Sequence, residues 1–266
     1  GVKAPHLAAI LVGEDPASQT YVANKEKDCL EAGIISSVYK YAATISEKEL
    51  LNAIEFINND DEIDGLIVQL PLPGHISSMK VLEKINPSKD VDGFHPSNVG
   101  RMVLNLPTYY PATPWGIMQL LKYYKIETSG KHCVVLGRSN IVGTPMSILI
   151  SRNNPDANAT VTLCHSKTEN IKEICKSADI LIAAIGKAEY VTADMVKDGA
   201  VVIDVGIHRY EAPETKSGFK LKGDVKSDEV SKKCSFITPV PGGVGPMTRV
   251  ALLMNTMKAA KKEVYL

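Results

Sequence analysis

The chain has 266 residues, 44% of them apolar and 23% charged, and its 30 basic and 30 acidic side chains cancel to a net charge of zero. Those proportions suit a globular protein of one large or two ordinary domains, and exclude a disordered chain, a coiled coil and a collagen-like repeat. A balanced charge with no basic stripe argues against a nucleic-acid partner. The longest apolar runs, HLAAILV and ADILIAAIG, fall far short of the ~20 residues of a membrane helix.

The chain opens on Gly1 rather than Met, and a strand-like run follows within a few residues. No basic segment followed by an apolar leader precedes it, so the expectation is a chain without a secretion signal whose start has been processed or truncated. Cys29, Cys133, Cys164, Cys175 and Cys234 form no C-x-x-C pair. Scattered and odd in number, they read as free thiols of a reducing, cytoplasmic compartment. The six histidines form no ligand-like cluster, and no metal is expected.

Short apolar runs alternate with longer periodic segments almost throughout, the pattern of β-α units around parallel sheets. HLAAILVG reads as a buried strand. Asp15-Pro16 supplies an N-cap and a first-turn proline, opening a helix that runs to about Gly33. SVYKYAA is the next strand, and Ser46-Glu47-Lys48-Glu49 is a capping box for a helix fading at Asn58-Asn59. DGLIVQLP is a third strand, with a helix near residues 77–86 behind it. Residues 87–112, with Pro87, Pro96, Pro107 and Pro111, read as loop, and a hinge is placed near Pro111. Thr113-Pro114 caps the next helix. KHCVVLG, ATVTLCHS, ADILIAAIG and AVVIDVGI are four further strands, residues 209–223 an exposed hairpin or excursion, and Pro246 to about Lys262 a closing amphipathic helix.

Five places carry chemistry. Strand KHCVVLG runs into Gly137-Arg138-Ser139-Asn140-Ile141-Val142-Gly143, then a helix. A glycine turn between strand and helix lets backbone N–H groups approach a phosphate, although the same turn serves as an ordinary βα connection. The following strand ends in Cys164-His165-Ser166-Lys167, without the carboxylate that holds the ribose hydroxyls of NAD. Ser166 there and Arg138 in the loop suit a 2′-phosphate, so the pair of features favours NADP. In the first helix, SQTYVANK puts Ser18, Tyr21 and Lys25 on one face. A surface face would look the same. Short-chain dehydrogenases also carry Tyr-x-x-x-Lys, but downstream of their glycine loop, the reverse of the order here. Gln69 interrupts an apolar strand and needs hydrogen-bond partners or a ligand. Asp90 and Asp92 in KDVDGFHP each read as a turn former, and Asp92-Gly93 is a good turn pair. FITPVPGGVGPMT is a rigid connector or a backbone wall against which a flat ligand can lie.

Taken in order, SQTYVANK, VQLPLP, KDVDGFHP, GRSNIVGTP, CHSKT and TPVPGGVGPMT closely resemble the bifunctional methylenetetrahydrofolate dehydrogenase–methenyltetrahydrofolate cyclohydrolase family over essentially the whole chain. Members usually begin with a further helix upstream. The resemblance implies a two-domain α/β protein. Residues 1–112 would be a folate-binding catalytic domain to which the C-terminal helix, 246–266, returns, and residues 113–245 a Rossmann-like NADP-binding domain. It implies oxidation of methylenetetrahydrofolate by NADP, then hydrolysis of the methenyl product to formyltetrahydrofolate. Lys25 would be the general acid/base, tuned by Tyr21 and Gln69. Folate contacts would come from Tyr21, Lys25, Val68, Gln69, Leu70, Asp92, Pro241, Gly242 and Gly243, with Asp92 anchoring the pterin. Gly137, Arg138, Ser139, Ser166 and Ile207 would meet the cofactor. A homodimer through the cofactor domain is implied as well.

Overall fold

A computed structural model describes residues 3–215 and 218–265. The chain divides into two compact units, Gly1–Ala112 with Arg249–Leu266, and Thr113–Thr248.

The first unit opens with β1 (His6–Val12), α1 (Pro16–Glu31), β2 (Ile35–Tyr41), α2 (Glu47–Asn58), β3 (Gly65–Val68), α3 (Ser78–Lys84) and α4 (Pro96–Val103). Its sheet is parallel, in the order β2-β1-β3. Central β1 is buried from Leu7 to Val12, as a strand covered on both faces must be. Ile10, Leu50, Ile54, Leu66 and Val81 form the core beneath α2 and α3, each contributing about 1.5–3 kcal/mol by leaving water. The capping box forms as expected: Ser46 Oγ accepts from Glu49 N, and Glu49 Oε2 accepts from Ser46 N.

The second unit holds α5 (Ala112–Tyr123), β4 (His132–Leu136), α6 (Gly143–Ser151), β5 (Thr160–Cys164), α7 (Ile171–Lys176), β6 (Ile180–Ala183), a short 3₁₀ turn, β7 (Val201–Asp204), β8 (His208–Glu211), β9 (Phe219–Lys222), α8 (Ser227–Val230), β10 (Phe236–Ile237) and the start of α9 (Val244–Ala260). Five parallel strands lie in the order β10-β7-β6-β4-β5. The chain moves from β4 outward to β5, then returns to the other side of β4 for β6. That reversal makes the carboxyl end of β4 a switch point, where open α/β sheets bind ligands.

The departures from the sequence reading are local. Residues 87–112 are not all loop, because α4 forms there with Pro96 at its first position and His95 as its cap, accepting from Ser97 N. Proline lacks an N–H where a helix start would leave one unused, so the residue that looked like a breaker is a starter. β3 ends at Val68, which places Gln69 at the carboxyl edge instead of inside the strand. β10, inside FITPVPGG, has two residues and leaves no periodic signature. α9 begins at Val244, two residues before Pro246. The excursion at 209–223 is the antiparallel β8–β9 hairpin; its residues 216 and 217 lie outside the described residues.

Candidate active site

In α1 the cap is Asp15, whose Oδ2 accepts from Ser18 N at 2.8 Å, and Pro16 fills the first turn. The helix buries Ser18, Val22, Lys25 and Cys29. These positions form one stripe, in which an amine occupies a place otherwise suited to an apolar side chain. Lys25 is only 8% exposed. Its Nζ donates to Gln69 Oε1 at 3.3 Å and stands 5.3 Å from the centre of the Tyr21 ring. Burial pushes the Lys25 ammonium below the ordinary lysine range, while the negative charge of Asp92 pulls the other way.

Gln69 extends the β1–β3 ladder through its backbone N–H to Ile10 O, 2.9 Å. Its Nε2 donates to Leu70 O at 2.7 Å, which leaves Oε1 turned to the lysine. Val68 is buried beside it and Leu70 half-buried.

Asp90 and Asp92, undistinguished in the sequence, take different roles. Asp90 is 1% exposed and accepts from Phe94 N, His95 N and Asn98 Nδ2 at 3.2, 2.8 and 2.8 Å, so it builds the loop. Asp92 is half-buried and has no hydrogen-bond partner among the described residues. Burial raises its carboxyl above the usual range, and Lys25 opposes that rise. Gly93 follows with φ +73°, and a Cβ there would stand 2.7 Å from the Tyr110 carbonyl carbon. The structure thus gathers Tyr21, Lys25, Gln69 and Asp92 from three separate segments.

In the second unit, Gly137 follows β4 with φ +119°, and a Cβ would overlap the Ala184 carbonyl oxygen. A Cβ on Gly143, the first residue of α6, would overlap the Gly137 carbonyl. Ser139 Oγ accepts from Val142 N and Gly143 N at 3.1 and 3.4 Å. The turn is therefore tight, and it sets the start of a nine-residue helix behind exposed Arg138 and Ser139. β5 pairs with β4 so that Leu136 faces Cys164, which brings exposed Ser166 to the same end of the sheet. Cys164–Lys167 carries no carboxylate. A glycine cradle, a helix start and these donors fit the phosphates of a dinucleotide, including one on the 2′ position.

Ile207, after β7, is 54% exposed. Pro241 and Gly242 are exposed and Gly243 half-buried, all three between β10 and α9 in the second unit.

Sequence reasoning missed a buried carboxylate pair at this end of the sheet. Asp224 accepts from Ile185 N and Gly186 N at 2.7 and 2.9 Å and meets His208 Nε2 at 2.7 Å. Asp204 accepts from Gly206, Asp224 and Val225 N–H groups. Together they tie the loops after β6 and β7 to the segment after the hairpin. The available signal was Asp204 ending an apolar strand and Asp224 following Gly223.

The model for "Tetrahydrofolate dehydrogenase/cyclohydrolase, catalytic domain" matches residues 1–92, and that for the NAD(P)-binding domain of the same enzymes matches residues 111–264. The chain belongs to the tetrahydrofolate dehydrogenase/cyclohydrolase family. Among curated members, the bifunctional protein FolD of Cytophaga hutchinsonii is 64% identical over 260 residues, 98% of this chain and 90% of that one. A crystal structure of the bifunctional FolD dehydrogenase/cyclohydrolase from Campylobacter jejuni superimposes with a TM-score of 0.90 at 51% identity, over 97% of this chain and 89% of the other. The Trypanosoma brucei member, solved with NADP and an inhibitor, gives 0.92 at 37% identity, over 98% and 88%. Within the family's two domains, the Lys25 cluster belongs to the catalytic one and the Gly137 loop to the NAD(P)-binding one. Among the described residues no helix is long and apolar enough to cross a membrane.

Proposed function

We propose that Lys25 is the proton-transfer group of a bifunctional enzyme of one-carbon metabolism. The enzyme oxidises methylenetetrahydrofolate to methenyltetrahydrofolate with NADP, then hydrolyses that product to formyltetrahydrofolate. The observation that carries this reading is the buried Lys25 amine on Gln69 Oε1, in a chain whose family is named for both activities.

Bound NADP supplies the acceptor for the hydride that leaves the methylene carbon. Gly137, Arg138, Ser139 and Ser166 would hold its phosphates, and Ile207 its nicotinamide side. In the hydrolytic step, water adds to the methenyl carbon and gives up a proton. A neutral Lys25 amine accepts that proton and returns it to the ring nitrogen that departs, while the remaining hydroxyl proton passes to solvent as the formyl carbonyl forms. Such a group serves best when its two forms are both accessible near neutral pH. Burial favours the neutral amine; Asp92 and the Tyr21 ring favour the ammonium. Gln69, its amide orientation held by Leu70 O, keeps the amine in one place.

Asp92, with both oxygens uncommitted, can take two parallel N–H bonds from the aminopyrimidine edge of a pterin. Val68 and Leu70, on either side of Gln69 in the chain, are assigned folate contacts on the sequence resemblance, as are Pro241, Gly242 and Gly243. The same resemblance supports a homodimer through the second unit, and the five free cysteines suit a cytoplasmic setting. Incubating the protein with methylenetetrahydrofolate and NADP, and following reduced cofactor and then formyl product, tests the function. A failure to form reduced cofactor would sink it.

A further inference from the structure

We propose that Asn255 of α9 is a positioning residue for Asp92: its side-chain amide holds the backbone on both sides of the Asp92-Gly93 turn, and so decides where the Asp92 carboxylate stands relative to Lys25. The proposal rests on the reading of Asp92 as pterin anchor and of Lys25 as acid/base.

Asn255 is fully buried. Its Nδ2 donates to Val91 O at 2.9 Å and to Tyr110 O at 2.8 Å, reaching 164 and 145 residues back along the chain. Val91 immediately precedes Asp92. Tyr110 packs against Gly93 so closely that a Cβ on the glycine would stand 2.7 Å from its carbonyl carbon. One amide group therefore spans the two backbone segments that sandwich the turn. Its Oδ1, by contrast, is buried without a hydrogen-bond partner. A residue selected only to fill space at this point of α9 would not bring an orphaned acceptor; the two donors are what this side chain supplies.

The Asp92 carboxylate makes no hydrogen bond of its own among the described residues, so its place is inherited from the backbone beneath it. Downstream of the turn that backbone is held by Asp90, through Phe94 N and His95 N. Across residues 91–93 it is held by Asn255. The groups facing Lys25 are Tyr21 and Cys29 from its own helix, Gln69 from the end of β3, and Asp92 from this turn. Asp92 is the carboxylate among them. A turn released from Asn255 lets that negative charge move away from Lys25, which weakens the pull toward the ammonium. The amine then deprotonates at lower pH, and the pterin loses a fixed acceptor.

The test uses the full chain carrying Asn255→Leu, Asn255→Ser, Asp92→Asn, and Asp92→Asn combined with each. Measured are KM for methylenetetrahydrofolate and for NADP, the pH profile of methenyltetrahydrofolate hydrolysis, and Tm. Asn255→Leu should raise the folate KM about tenfold, leave the NADP KM within about twofold, and move the rising limb of the pH profile downward, as Asp92→Asn should. Asn255→Ser, which keeps one donor, should act in the same direction and less strongly. In the Asp92→Asn background either change should add less than about twofold, because the carboxylate being positioned is already gone. Losses that multiply in the double variants would overturn the proposal. So would equal rises in both KM values, or a lowered Tm with an unmoved pH limb. If Asn255→Leu does not fold, the serine variant carries the same comparisons. An Asp92→Asn protein with normal folate KM would instead remove the pterin-anchor reading, whereas a defective Asp92→Asn beside a normal Asn255→Leu would remove only the positioning role.

Discussion

The lysine site of the first unit and the glycine loop of the second place their polar groups in opposite surroundings. Lys25 is buried, as a core side chain would be, and its partners Gln69 and Asp92 come from distant parts of the chain. The second site is built from backbone: Gly137 and Gly143 permit close approach, Ser139 tends the start of α6, and Arg138 and Ser166 stand in solvent. The chemistry proposed for each explains the contrast. A lysine acts as a base only where its charge is discouraged, which requires burial. A phosphate is itself strongly charged and hydrated, and is met best by N–H groups and exposed cations that give up little hydration to reach it. Proton transfer needs a dry side chain; anion binding needs a shaped, wet backbone.

If that contrast is correct, the two sites fail in different ways. Lys25→Met should cost the hydrolytic activity about 10²–10⁴-fold, the usual worth of proton transfer. The dehydrogenase activity should fall less, because the nitrogen lone pair next to the methylene carbon drives hydride departure. Hydrolysis of methenyltetrahydrofolate at the unaltered enzymatic rate would show that a different group moves the proton.

Gly137→Ala should act through the backbone. It adds a methyl group where φ is +119° and the Ala184 carbonyl is already in contact, strain and overlap together costing about 2–5 kcal/mol of stability. Denaturant unfolding of the variant measures it. An unchanged midpoint would mean that the loop relaxes freely and is no fixed cradle.

Arg138→Ala should leave folding intact and cost NADP about 10- to 150-fold in kcat/KM, the equivalent of one charge-assisted bond of roughly 1.5–3 kcal/mol. NAD, without the 2′-phosphate, should lose much less. Steady-state kinetics with both cofactors decides the matter: parallel losses, or a wild type that prefers NAD, would reduce Arg138 to a solvent-facing neighbour of the helix.

Asp92→Asn has the smallest expected effect on rate and the sharpest signature. Asp92 favours the charged form of Lys25, so removing its charge lets the Lys25 pKa fall further below the ordinary lysine range. The rising limb of the hydrolysis pH profile should shift to lower pH, with folate affinity about tenfold weaker and NADP affinity nearly unchanged. A limb that moves upward, or a uniform loss for both ligands, would make Asp92 a residue of the turn alone.

The sequence by itself determined whatever depends on neighbours in the chain. Apolar runs of strand length marked β1, β4, β6 and β7, because strands buried on both faces need unbroken apolar stretches. Asp15-Pro16 and the Ser46–Glu49 box marked their helices, because a cap bonds to N–H groups only two or three residues away. The glycine loop and the carboxylate-free strand end were legible for the same reason. Tertiary structure alone decided the rest. Pro96 reads as a breaker until the following residues coil behind it, and the two-residue β10 exists only because β7 offers it an edge. Lys25 looks like surface decoration until α1 turns the stripe of Val22 and Cys29 inward. Asp90 and Asp92 differ in no obvious local feature; one became the knot of a loop and the other a free carboxylate, according to whether backbone N–H groups and the Asn98 amide came within reach. Asp204, Asp224 and Asn255 went unread because most of their partners are remote, Asp224 N and Val225 N for Asp204, Ile185 N and Gly186 N for Asp224, and Val91 O and Tyr110 O for Asn255. Burial and long-range hydrogen bonding are properties of the packed chain, and a side chain acquires them only when distant segments close around it.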